Sequence, residues 1–396
     1  MRCNNSDKTR GYTAADGGVL HMENDSIERL RVFLIESPIK MARLQGVGNV
    51  KGTVKRVLVE LTSTSGIVGW GEAAPWEVFT GTAEGAFAAI DTYLRPVVLG
   101  APVRAIRATT LTMDRVLVGH GEAKLAIETA MFDILGKSTG LSVADLLGGR
   151  VRDSIPLSFS IADPDFEADM ARMREMVPAG NRIFKVKTGV KSHAEDMAHL
   201  EAMRGEFGDG IDLRLDYNQA LSPFGAISIL RDVDRFRPTF IEQPVPRDCL
   251  TAMASFADAL DTPILADESC FDGRDLLEII RLGAADAISV KLMKAGGLLK
   301  AQGVMAIADT AHIPGYGGTL WEGGIALAAG TQFIAATPGM SLGCEFYMPH
   351  HVLTEDVLEA RVPNRDGAVI VPTGPGLGIS VSDASLRGNA RILAEK

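Results

Sequence analysis

With 396 residues the chain exceeds one ordinary domain and suits a single large α/β barrel with an accessory domain. A formal charge of −10 argues against the basic face that a nucleic-acid partner requires, and no apolar run reaches the roughly 18 residues of a membrane span. Four scattered cysteines, Cys3, Cys249, Cys270 and Cys344, with no CxxC pair, exclude a disulfide framework or thiolate metal site and point to a reducing, cytoplasmic compartment.

The opening MRCNNSDKTRGYTAADGG is polar and lacks a signal peptide's apolar stretch, so residues 1–26 read as a flexible tail. From Ile27, RLRVFLIESPI and VKRVLVELTSTSGIVGWGEAAP alternate like strands of a hairpin or meander, with the turn at Thr64 to Gly66. Ala123, Ala126, Ile127, Ala130, Met131, Ile134 and Leu135 recur at helical spacing, and the glycines of GKSTGL and LLGGR end that helix. Residues 27–150 thus predict an α+β domain. After Arg150 short apolar strands alternate with amphipathic helices. The strand runs are IPLSFS, RIFKVKTG, DLRLDYN, TFIEQPV, PILADES, AISVKLM, IPGYGG and MSLGCE. Eight such units predict an α/β fold, a (β/α)8-type (modified TIM) barrel over residues 151–363 behind an N-terminal capping domain. Residues 364–396, Gly- and Pro-rich at first, are expected to return to the capping domain.

In such a barrel the chemistry lies at the C-terminal strand ends. Lys185 and Lys187, two apart in FKVKTG, point to one face of the second strand. Asp216 and Asn218 end the third strand, Glu242 the fourth, Asp267 and Glu268 the fifth, Lys291 the sixth and Glu345 the eighth. Asp216, Glu242 and Asp267 come from consecutive strands and can converge, and three carboxylates suit Mg²⁺ where Zn²⁺ would want His or Cys. Lysines on the second and sixth strands then face each other across that metal. Their repulsion and the dication are expected to lower their pKa values toward proton transfer.

FKVK, LDYNQ, IEQP, ADES and SVKLMKAGG together resemble the enolase superfamily, in its muconate-lactonizing subgroup, from about Ile27 onward. That superfamily pairs a Lys or His base with Mg²⁺. The resemblance implies that Asp216, Glu242 and Asp267 bind Mg²⁺ (Mn²⁺ as substitute), that Lys187 and Lys291 face the two sides of the substrate, and that Lys185 tunes Lys187 or touches the substrate carboxylate. GYGGTLWEGGIALAAGTQFIAA, LGCEFYMPHHVLTEDVLE and KSTGLSVADLLGGRVRDS look like muconate cycloisomerase segments, with Glu345 as the glutamate of the eighth strand. The seventh strand lacks the His of mandelate racemase-type members, and GCEFY lacks the Asp-x-Asp of dipeptide epimerases. The implied reaction is lactonisation of cis,cis-muconate through an enolate, with Lys187 protonating the α-carbon and Lys291 as electrostatic partner, the donor switching to Lys291 in an anti-type enzyme. The resemblance also implies a homo-oligomer, often an octamer, acting on a small-molecule carboxylate.

Two other functions stay in view. Lysines on both faces also suit a racemase or epimerase, or a dehydratase, of an N-acyl or betaine-type amino acid, and a non-catalytic barrel is the third reading. Trp76 and Phe79, in the loop PWEVFTGTAEG, are either substrate contacts or packing between domains. Asn218 either bonds near the metal or caps a helix, and Glu268 is expected to orient Lys291 from behind the ligands. The pair His350 and His351 has no ligand-spaced companion and reads as surface or interface. His312, Cys270 and Cys344 read as structural.

Overall fold

The computed structural model describes residues 25–40, 42–354 and 356–396; the expected tail, up to residue 24, lies outside them. Strands β1 (Ile27–Pro38), β2 (Thr53–Ser63) and β3 (Val68–Ala73) form an antiparallel sheet, joined at its edge by β14 (Arg391–Glu395) in the order β14-β1-β2-β3. Helix α1 (Gly121–Thr139) crosses this sheet and ends at Gly140 in the left-handed conformation, φ 76°. It is buried on nearly every side, not along one stripe, because it lies between sheet and barrel. On the sheet side a Cβ on Gly71 would stand 1.8 Å from Ala126 O, so only glycine permits that approach. On the barrel side Glu128 accepts from the Leu298 N–H.

The barrel strands are β5 (Ser158–Ile161), β6 (Ile183–Lys187), β7 (Asp212–Asp216), β8 (Ile241–Glu242), β9 (Ile264–Ala266), β10 (Ala287–Val290) and β11 (Gly315–Gly317), parallel and adjacent in chain order. Apolar residues fill their runs because parallel strands are buried on both faces. The eighth run, MSLGCE, is not a strand. A turn with Gly343 at φ 75° leaves Cys344 alone to pair, with Gly317 on one side and Leu157 on the other, and those two bridges close the barrel.

IPLSFS splits at Leu157. Its first half, β4 (Ser154–Pro156), pairs outside the barrel with β13 (Ala368–Ile370), which pairs in turn with β12 (Asn364–Arg365). The C-terminal segment therefore divides, 364–370 staying against the barrel and 391–395 reaching the capping sheet. Three later helices bear on the site: α2 (Leu292–Ala295), α3 (Leu298–Thr310) and α4 (Gly324–Ala336). Among the described residues no helix is long and apolar enough to cross a membrane.

Candidate active site

On β6, Lys185 and Lys187 share one face, as alternation requires, while Phe184 and Val186 pack into the core. In register, Lys187 pairs with Asp216 of β7, and Asp216 with Glu242 of β8. Asp267 follows β9 directly and Lys291 follows β10. Since β7, β8 and β9 lie between β6 and β10, the two lysine strands flank the three carboxylate strands.

The ammonium groups lie among the carboxylates. Lys185 Nζ, 1% exposed, lies 3.0 Å from Asp216 Oδ2, 2.8 Å from Glu242 Oε2 and also against Glu345 Oε2. Lys187 Nζ donates to Asp216 Oδ2 at 2.5 Å, and Lys291 Nζ to Asp267 Oδ2. A fourth cation escaped sequence reasoning. Lys294 Nζ donates to Asp267 Oδ1 and Asp267 O, both at 2.7 Å, and to Ser289 O at 2.8 Å. Lys294 sits in α2 and not at a strand end, so the strand pattern passes over it. Its i, i+3 spacing from Lys291 in KLMK was the available signal. Gln243 was also missed: its Oε1 accepts from Asp267 N and Ser269 N, each at 3.1 Å, and so fixes the end of β9.

Lowered lysine pKa values are not what this packing produces. Burial alone would depress Lys187 and Lys291, but Asp216 beside the first and Asp267 beside the second outweigh it and hold both above the ordinary lysine value. The expectation of lowered values concerns the site with a dication in place; without it, a carboxylate touches each ammonium. Burial would raise Asp216 and Asp267, yet their lysine partners hold both below the usual carboxylate range. Glu242 goes the other way, pushed up to about 8 by burial and then by Asp216. Burial and Asp267 push Glu268 up to about 7.

Among the acids of this cluster and Asn218, four buried oxygens have no hydrogen-bond partner: Glu242 Oε1, Glu268 Oε2, Glu345 Oε1 and Asn218 Oδ1. Leaving a buried polar atom unpaired costs about 1–3 kcal/mol, so this cluster has unspent capacity for a cation. All four are hard oxygen donors, the set that Mg²⁺ or Mn²⁺ takes. Five carboxylates, Asp216, Glu242, Asp267, Glu268 and Glu345, also face only four ammonium groups, Lys185, Lys187, Lys291 and Lys294. The residues thus fit a divalent cation. Among the described residues no three acidic or metal-binding side chains surround one point as they stand, since lysines lie between them. Cation binding requires those ammonium groups to give way.

Asn218 and Gln243 hold positive φ, 41° and 36°, at the ends of β7 and β8, a strain that commonly gathers at functional sites. Asn218 N donates to Asp216 Oδ1 at 2.9 Å and its Nδ2 to Glu268 Oε1 at 3.2 Å. It therefore braces the acids and caps no helix. Glu268 meets Asn218, while Lys291 is held by Asp267.

Above Lys291 lies an aromatic ladder. Trp76 stacks on Phe79 at 6.3 Å between centroids, and Phe79 on Phe271 at 5.9 Å. Lys291 Nζ stands 4.4 Å from the Phe79 ring centroid. On its other flank Gly318 packs so closely that a Cβ there would come within 2.6 Å of Lys291 Cε. From the loop between β1 and β2, Arg43 reaches Ser160 O at 2.9 Å and lies over Tyr347. His351 is half-buried, edge-on to Phe159, and not a free surface group; the His350 side chain lies outside the described residues. Cys270 and Cys344 are buried thiols, both pushed up to about 12 by burial.

Residues 29–148 match the family described as mandelate racemase / muconate lactonizing enzyme, N-terminal domain, and residues 168–385 match enolase C-terminal domain-like. The chain is 33% identical over 342 residues to chloromuconate cycloisomerase CbnB of Cupriavidus necator, covering 85% of this chain and 91% of that one. It is 32% identical over 339 residues to L-Ala-D/L-Glu epimerase of Bacillus subtilis, covering 85% and 92%. Among solved structures, a muconate cycloisomerase from Azorhizobium caulinodans is 72% identical, with TM-score 0.85, covering 93% of this chain and 99% of that one.

Proposed function

Because the chain belongs to the mandelate racemase / muconate lactonizing enzyme family of the enolase superfamily, in its muconate cycloisomerase subgroup, we propose that it lactonises cis,cis-muconate with a divalent cation, Mg²⁺ or Mn²⁺. The observation that carries this reading is the placement of Lys187 and Lys291 on strands either side of Asp216, Glu242 and Asp267. The cation, held by those three acids, would stabilise the charge that gathers on one substrate carboxylate. The other carboxylate closes a C–O bond across the conjugated system, and Lys187 Nζ gives the α-carbon its proton. Lys291 answers the developing charge from the opposite side. Lys185, buried and bound to three acids, sets the position of Asp216 and Glu242. Incubating the purified protein with Mg²⁺ and muconate should bleach muconate's ultraviolet absorbance; unchanged absorbance overturns the reading.

A second reading rests on the same two lysines and the epimerase similarity: 1,1-proton transfer on an acylated amino acid. α-Proton exchange in D₂O with such substrates, without lactonisation of muconate, would favour it. The three described cysteines are free thiols, which supports a cytoplasmic setting. A homo-oligomer is part of the proposal on the family resemblance, with sedimentation as its check.

A further inference from the structure

Lys291 has two partners here, the Asp267 carboxylate and the face of Phe79. If a divalent cation takes Asp267, as the functional reading requires, the Lys291 ammonium loses the carboxylate it touches and keeps only the more distant charges of Glu242 and Glu268, in a site where it is only 5% exposed. A buried charge without a partner is costly. The Phe79 ring, 4.4 Å away, offers the negative face that attracts ammonium, and most strongly where water is excluded.

The ring is held for that task. Phe79 sits in a tight turn in which Phe79, Thr80 and Gly81 all donate backbone N–H groups to Trp76 O, at 2.8, 2.9 and 3.2 Å. Trp76 stacks on one side of it and Phe271, from the loop after β9, on the other. Phe271 also lies 5.8 Å from Lys294 Nζ, the clamp on Asp267.

We propose that Phe79 is a positioning residue for Lys291: braced by Trp76 and Phe271, its ring face retains the ammonium at the substrate wall when Asp267 turns to the cation. Cation loading and the seating of the capping loop are then coupled through one contact. This rests on the metal reading above.

The test is Mn²⁺ affinity of the metal-free protein, followed by titration calorimetry or by the paramagnetic resonance of free Mn²⁺, with no substrate present. Phe79 is replaced by mono-, di- and trifluorophenylalanine, which keep its shape and progressively weaken the ring's hold on a cation. Mn²⁺ dissociation constants are expected to climb stepwise along the series, by roughly 2- to 30-fold in all. Phe79→Leu should match the end of the series, and Phe79→Trp should restore most of the affinity. A flat series, or Phe79→Trp as impaired as Phe79→Leu, overturns the inference. If the parent protein binds no Mn²⁺, the metal reading itself fails.

Discussion

Glu72, in the capping domain, accepts a 2.7 Å hydrogen bond from the backbone N–H of Gly323, which opens barrel helix α4. The same Oε1 accepts from Arg56 at 2.7 Å, and Oε2 accepts from Ala326 N at 2.9 Å. Arg56 and Glu72 are both fully buried, so this one carboxylate neutralises a buried guanidinium and satisfies the first N–H groups of a helix. Glu72→Ala removes one side of a buried pair and is expected to cost about 3–5 kcal/mol. Glu72→Gln keeps an acceptor and should lose less. Urea unfolding measures both, and an alanine variant within about 1 kcal/mol of the parent would contradict this role.

A second carboxylate at this junction carries a pH signature. Glu322 accepts from Leu320 N at 2.5 Å and from Thr319 Oγ1, yet burial pushes its pKa up to about 7. Glu128 of α1, whose carboxyl accepts from Leu298 N at the start of α3, is pushed up to about 7 for the same reason. A carboxyl raised in the folded state holds more protons there than in the unfolded chain between its ordinary value and about 7. Stability therefore falls as pH rises through that window, and the penalty is complete above it. For each group the span is about 3 kcal/mol at most. Glu322→Gln keeps the acceptor and cannot ionise. It should match the parent near pH 5 and exceed it near pH 8 in urea unfolding; equal stability at both would remove Glu322 as a source of the pH dependence.

Much of the site could be read from sequence because each of the consecutive strands β6 to β10 ends its apolar run at an ionisable residue. Lys187, Asp216, Glu242, Asp267 and Lys291 need no information beyond strand order to be placed round one mouth. The eighth strand was illegible for a different reason: MSLGCE has a strand's composition, but Gly343 turns the chain so that only Cys344 pairs. The pairing of each lysine with a carboxylate in the metal-free site was not legible, because sequence shows which charges share a mouth and not which ones touch. Phe271 and Lys294 were missed because they lie in a loop and a helix, and Gln243 because it carries no charge; they act on Phe79 and Asp267 from outside the row of ionisable strand ends.

Lys294 uses all three of its donors, two of them on the backbone carbonyls of Asp267 and Ser289. Unlike Lys291, whose Nζ donates to a carboxylate alone, it has no reason to leave when a cation arrives. Lys294→Met strands three acceptors in a buried site and should destabilise the metal-free protein by about 3 kcal/mol or more. Lys294→Gln should recover part of this. Indifference of the unfolding midpoint to either change would show that the clamp carries no weight.

The roles assigned to Lys187 and to the acids separate by the sign of their effect on metal binding. Lys187 Nζ occupies Asp216 Oδ2 at 2.5 Å, so it competes with a cation for that oxygen. Lys187→Ala should therefore bind Mn²⁺ as tightly as the parent or more tightly. Its turnover of muconate should nevertheless fall by roughly 10²- to 10⁴-fold, the usual loss when a positioned proton donor is removed. Asp216→Asn and Glu242→Gln should lose turnover through weakened Mn²⁺ binding, and high Mn²⁺ should partly restore it. Calorimetry with ultraviolet assays reads both quantities on the same preparations. A Lys187→Ala protein that binds Mn²⁺ poorly, or one that still turns over, would break the assignment, because a proton donor that competes for a metal ligand can produce neither result.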